Sequence, residues 1–185
     1  MKLILASASP RRVELLKSAG FDFDVIPADV DESLPQGMRA ADAVRYLARK
    51  KALAVAADHP DAVVLGADTM VEIDGISLGK PVDEKDAHQM LMTLSGKRHR
   101  VHTGVHIEGC GFDRSFTETS EVEFFPFDTD EAKNYIRTGE PMDKAGAYAI
   151  QGRGMIFVKS ISGDYNTIVG LPAAKVARIL KGLPM

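Results

Sequence analysis

Apolar residues fall in short bursts along the chain, separated by joints rich in glycine, proline and aspartate. The run Lys2 to Ala6 predicts a buried strand. Ser9 stands where a helix cap is expected, with Pro10 at the first helical position, Val13 and Leu16 on one face and Gly20 at the stop. Phe21 to Ile26 alternates apolar and polar residues, which predicts a strand. After a loop over 27–39, Ala40 to Ala57 carries a helical period that stops before Pro60. Ala62 to Gly66 predicts a second buried strand, with Asp68 and Thr69 at its carboxyl end. Met70 to Ile73 and Ile76 to Leu78 flank Asp74-Gly75, a strong hairpin signal. A helix opens at Asp83 and closes at Ser95-Gly96. Strands over Arg100 to Ile107 and Ser115 to Phe125 follow. Asp128 and Glu131 have capping-box spacing for a helix that ends at Thr138-Gly139. Residues 140–154 are irregular and glycine-rich. Met155 to Ile161 and Asn166 to Val169 predict strands, and Pro172 opens a last helix to about Lys181. Interleaved strands and helices with hairpins among them predict an α/β chain with a mixed sheet. No linker demands a second domain, so one α/β domain over 1–185 is expected, with room for two lobes around a cleft.

Composition narrows the function classes. The hydrophobic share of 45% and charged share of 26% are ordinary for a globular chain of 185 residues. The net charge of -3 lacks the basic excess expected of a duplex-binding protein, and 6% aromatic content offers few stacking platforms for single strands. No nucleic-acid partner is therefore expected, and a polyanion bound here is small. The lone cysteine, Cys110, rules out an internal disulfide and a cysteine-based zinc site within one chain. The N-terminal apolar run is too short for a signal peptide, and no stretch reaches the length of a membrane span. These features predict a cytoplasmic protein with no membrane partner.

Several short strings carry candidate chemistry. In Ser7-Ala8-Ser9-Pro10-Arg11-Arg12 a strand feeds a helix N-terminus, whose free N–H groups attract anions. Two arginines in that first turn sit at the positive end of the helix dipole, and a bound anion would relieve the conflict. A solvated helix start is the competing reading. Asp68 in Gly66-Ala67-Asp68-Thr69 lies where α/β proteins place ligands, and suits a hard cation or a proton from water. A polar turn cap explains it equally well. Lys80 in Gly79-Lys80-Pro81 offers a point charge to phosphate or to solvent. On the long helix, Lys51 falls in register with Val44, Leu47 and Val55, whereas Lys50 lines up with Tyr46 and Leu53. Either lysine meets an anion or snorkels. Glu32, in the acidic run Asp29-Val30-Asp31-Glu32, is a candidate metal ligand or a solvated carboxylate. Gln151 sits among small residues in DKAGAYAIQG, and its amide both donates and accepts, as a nucleobase edge requires. Of His99, His102 and His106, only the last two share a strand face, which reads as an exposed face rather than a zinc site. No P-loop, no Gly-x-Ser-x-Gly elbow and no dinucleotide fingerprint occurs.

Taken in order, LASASPRR, GADTMV, LGKP, DKAGAYAIQG and a late GLP resemble the Maf family of nucleoside triphosphate pyrophosphatases from Leu3 to about Val176. The resemblance implies an elongated mixed β-sheet flanked by helices, with two lobes around a nucleotide-binding cleft. It implies hydrolysis between the α- and β-phosphates with a divalent metal cation such as magnesium or manganese. Asp68 then corresponds to the catalytic carboxylate and proton acceptor, and Glu32 with Asp68 to metal-associated carboxylates. Ser7, Arg11, Arg12, Lys51 and Lys80 correspond to phosphate-binding positions, and Arg11, Thr69 and Gln151 to positions that help select the base. The GAYAIQG wording is similar to the branch acting on dTTP and UTP, with modified pyrimidine nucleotides as further substrates. The alternatives are the N7-methyl-GTP branch and a non-catalytic nucleotide sensor linked to septum formation. A homodimer is the assembly the family implies.

Overall fold

The computed structural model describes residues 2–183. Its elements run β1 (Lys2–Leu5), α1 (Pro10–Ser18), β2 (Asp24–Val25), α2 (Ala40–Ala56), β3 (Ala62–Ile73), β4 (Ile76–Leu78), α3 (Glu84–Leu94), β5 (Arg98–Gly109), β6 (Phe112–Phe124), α4 (Thr129–Ile136), β7 (Val158–Ser162), α5 (Tyr165–Val169) and α6 (Ala173–Lys181). They build one mixed seven-stranded sheet in the order β2-β1-β3-β5-β6-β7, with β4 also paired to β3. The β2-β1-β3 side is parallel and the rest antiparallel. Among the described residues no helix is long and apolar enough to cross a membrane.

Helices cover both faces. On one face α2 lies against β3 and β5, and two glycines allow a very close approach. A Cβ at Gly66 would stand 2.2 Å from the Ala48 carbonyl oxygen, and one at Gly104 would stand 2.3 Å from the Val44 backbone. On the other face two apolar clusters lie side by side. One joins Leu3, Leu5, Leu16, Leu65, Val105, Val176 and Leu180 beneath α1 and α6. The other joins Val71, Leu91, Leu94, Val101, Phe124, Tyr135 and Phe157 beneath α3 and α4. Between them the sheet carries buried hydroxyls: Thr103, Ser120 and, from α5, Thr167.

The structure revises several sequence expectations. The strand expected at Ala62 to Gly66 does not stop there but runs on to Ile73, so Asp68 sits inside a strand. The segment Asn166 to Val169 is helical, because Asp164 accepts hydrogen bonds from the Thr167 N–H and hydroxyl and so caps α5. The strand expected over Met155 to Ile161 begins only at Val158, after a 3-10 turn over Arg153–Phe157. Only Asp24–Val25 of the alternating segment 21–26 pairs, because β1 is the sole neighbour and is itself short. Ser9 occupies the α1 cap position but its side chain makes no capping bond. The capping box of Asp128 and Glu131 forms as the spacing predicts.

Candidate functional site

A gap in the sheet creates the site. β1 pairs with β3 at residues 62–65, and β4 pairs along the same edge of β3 at Val71 to Ile73. Residues 66–70 of β3 therefore have β5 on one side and no strand on the other. A cavity of about 550 Å³ opens at that free edge. Strand alternation sends Asp68 to the face of α2, because it pairs with Gly104, and sends Thr69 to the opposite face. Beyond β1 the chain passes Ser7 and enters α1 with Arg11 and Arg12, all at the cavity wall.

The cavity brings together every site residue singled out from the sequence. Ser7, Arg11, Arg12, Glu32, Lys51, Asp68, Thr69, Lys80 and Gln151 all line it. The choice between neighbouring lysines resolves in favour of Lys51. Its Nζ donates to Asp68 Oδ1 at 2.6 Å and lies 2.8 Å from Glu32 Oε1, while Lys50 pairs with Asp31 outside the cavity lining. Asp68 and Lys51 are nearly enclosed, whereas Glu32 is exposed. Low exposure strengthens the Lys51–Asp68 attraction relative to a surface pair.

Arg12 is held from three sides. Its Nε donates to the Gly170 carbonyl at 2.8 Å, Nη1 to Ser7 Oγ at 3.1 Å and Nη2 to Thr69 Oγ1 at 3.0 Å. Arg11 Nε donates to the Val169 carbonyl at 3.3 Å. Both arginines thus lean on free carbonyls at the C-terminal end of α5, the end that favours cations. Enclosure by protein pulls the Arg12 pKa below its ordinary value, and the Asp68 charge acts against that pull. Arginine stays protonated through such a shift, so the guanidinium is a fixed positive charge beside the cavity.

Three contributions went unnoticed in the sequence. Lys144 lines the cavity as a further cation and contacts Asp143; it lies inside the DKAGAYAIQG string, where the base-binding reading drew attention to Gln151 instead. Tyr148 forms part of the wall, and its hydroxyl is 2.8 Å from His99 Nε2. Thr103, buried on β5, contacts Thr69 and has no sequence signal of its own. Glu140 fastens the ends of the loop that carries Lys144 and Tyr148. Its carboxylate accepts from the N–H groups of Arg153 and Gly154 and from the Tyr135 hydroxyl. Burial works to raise the Glu140 pKa, and these hydrogen bonds outweigh it, so the group stays below its ordinary value.

The histidines do not form an exposed face. His99, His102 and His106 are all buried, because helices cover both sides of β5. His106 approaches Glu108 and Asp113, but both ring nitrogens already have hydrogen-bonding partners, in Ser115 and Glu108, and the group lies outside the cavity lining. The donor set in the cavity suits a different ion. Asp68 and Glu32 converge on one point, now spanned by the Lys51 ammonium, and paired carboxylates are the hard oxygen donors that magnesium and manganese prefer.

Residues 2–183 match the family model described as Maf-like protein. A protein of Bacillus pumilus named "dTTP/UTP pyrophosphatase" is 49% identical over 97% of this chain and 95% of its own length. A protein of the same name from Bacillus velezensis is 50% identical over the same shares. Among solved structures, the Ham1 protein of Staphylococcus aureus superposes with a TM-score of 0.56 at 17% identity, covering 98% of this chain and 99% of that one, which is a likeness of fold.

Proposed function

The chain belongs to the Maf family, and from that premise we propose that it is a dTTP/UTP pyrophosphatase, hydrolysing each to the monophosphate and pyrophosphate. The observation that carries this reading is the convergence of Arg11, Arg12, Lys51, Lys80 and Asp68 on one cavity. A nucleoside triphosphate brings roughly four negative charges, and a water reaches the α-phosphorus only where fixed cations offset them. Arg11 and Arg12 are set by backbone carbonyls and so hold phosphate without reorganising. Lys51 and Lys80 add point charges from α2 and from the segment after β4. Asp68 accepts the proton of the attacking water, the bond from the α-phosphorus to the bridging oxygen breaks, and pyrophosphate leaves. Asp68 and Glu32 are the residues to hold a divalent cation, which when bound supplies positive charge against the triphosphate and acidifies a coordinated water. Gln151, with Arg11 and Thr69, is assigned to the base, and Ser7 to the phosphates. On the family resemblance the working unit is a cytoplasmic homodimer of one α/β domain.

Pyrophosphate release from dTTP, UTP and N7-methyl-GTP, with magnesium or manganese and with a chelator, tests the reading. Release from dTTP and UTP that stops on chelation is expected. Binding without release, or faster release from N7-methyl-GTP, overturns it.

A further inference from the structure

The hydrogen-bond chain behind Thr69 has a definite proton order. Thr103 Oγ1 stands 2.7 Å from the Thr167 carbonyl oxygen, which only accepts, so the single hydroxyl proton of Thr103 is committed there. Thr69 Oγ1 lies 2.9 Å from Thr103 Oγ1, and between two hydroxyls one must donate. Thr103 has no proton left, so Thr69 donates to it. Arg12 Nη2 meanwhile donates to Thr69 Oγ1 at 3.0 Å. The Thr69 hydroxyl therefore has no proton for the cavity that it lines and presents only its remaining lone pair there.

From this we propose that Thr103 is a positioning residue for substrate choice, acting through Thr69 without touching the nucleotide. Locked as an acceptor, Thr69 has nothing to offer phosphate oxygens, which carry no proton near neutral pH. It fits a hydrogen-bond donor on the nucleotide. The imide N–H of uracil and thymine is such a donor, and the corresponding ring nitrogen of cytosine is an acceptor that meets lone pair with lone pair. A sugar hydroxyl is a second source of the same donor chemistry. Burial makes the order durable: Thr103 and Thr167 are both 0% exposed, so water does not re-pair them. The anchoring carbonyl is itself fixed, because Asp164 caps α5 and Ser120 Oγ donates to the Asp164 carbonyl. This inference rests on the proposed pyrophosphatase activity.

The test compares kcat/KM for dTTP against dCTP, and for UTP against dUTP, in wild type, Thr103→Val, Thr103→Ser and Thr69→Ala. Valine keeps the shape of threonine and frees the Thr69 hydroxyl to turn and donate, so one of the two discriminations falls by roughly tenfold. Serine retains the committed proton and restores the wild-type ratio. Thr103→Val adds nothing in the Thr69→Ala background, whereas a merely structural residue would lower both substrates alike and add in full. Circular dichroism checks the fold, and Thr103→Ala replaces the valine variant if that one does not fold. Unchanged discrimination in folded Thr103→Val, no wild-type preference on either arm, or additivity with Thr69→Ala overturns the inference. Failure of the function itself looks different: wild type then releases pyrophosphate from none of these nucleotides.

Discussion

At the scale of single residues, the site divides its cations by how firmly each is tied. Arg12 is bound by three hydrogen bonds, to the Gly170 carbonyl and the Ser7 and Thr69 hydroxyls, while the contacts of Lys51 in the cavity are to the Asp68 and Glu32 carboxylates. On the proposed function, a triphosphate would offer Lys51 a competing acceptor and free Asp68 Oδ1 for a proton. Asp68→Asn keeps the size of the side chain and removes both the charge and the basicity. Turnover of dTTP is expected to fall on the order of 100-fold or more; near-normal kcat in this variant would refute the role given to Asp68. Lys144 supplies charge without the enclosed carboxylate pair. Lys144→Met should raise KM for dTTP by roughly tenfold with a smaller change in kcat, and an unchanged KM would remove it from the binding set. These residues were legible in the sequence to differing degrees. Arg11 and Arg12 stood out because they place cations at the positive end of a helix, and Asp68 because it follows an apolar run, whereas Lys80 by itself read as a solvated lysine. Thr103 did not, because a threonine in a strand is ordinary and its importance comes from a carbonyl on the distant α5.

At the scale of elements, the contact of α2 with the sheet decides whether Lys51 meets Asp68. The backbone of α2 rests on Gly66 and Gly104, the strand positions that flank Asp68 along β3 and across to β5. A methyl group at Gly104 has no room, so α2 must lift. Gly104→Ala should cost about 1–3 kcal/mol of stability and reduce activity beyond the loss explained by unfolding. A melting curve and a rate measured well below the transition separate the two effects, and a variant matching wild type in both would show that α2 is not held by this contact. The misread elements have physical causes. β3 is covered on both faces, so its apolar run lacks alternation, and Asp68-Thr69 mimics a strand end. α5 has 5 residues, too few to display a helical period, and β-branched Thr167, Ile168 and Val169 suit a strand equally well. The Asp164 to Thr167 cap was the available signal.

At the scale of the whole molecule, two apolar clusters share one face of a continuous sheet and do not merge. The seam between them is polar, and there the free edge of β3 opens the cavity. Position in the sheet, not sequence proximity, brings α1, α2, β3 and the 140–154 loop to the same cavity. The cluster beneath α3 and α4 includes the loop residues Ala147 and Tyr148, so its integrity governs the cavity wall. His99 is the titratable group at that junction, 2% exposed, edge-on to Phe124 at 4.7 Å and bonded to the Tyr148 hydroxyl. Burial pushes its pKa down to about 4, from an ordinary value of 6.5. Between those values the unfolded chain binds the proton and the folded chain does not. Stability is therefore full above about pH 6.5 and is lost as pH falls toward 4, by an amount on the order of 3 kcal/mol at the lower limit. Burial also lowers the His102 pKa, opposed by Glu72, and this adds to the same trend. Denaturant melts from pH 7.5 to 4.5 should show the decline, and His99→Gln, which keeps a partner for Tyr148, should flatten it. An equal pH slope in that variant would place the acid sensitivity elsewhere in the fold.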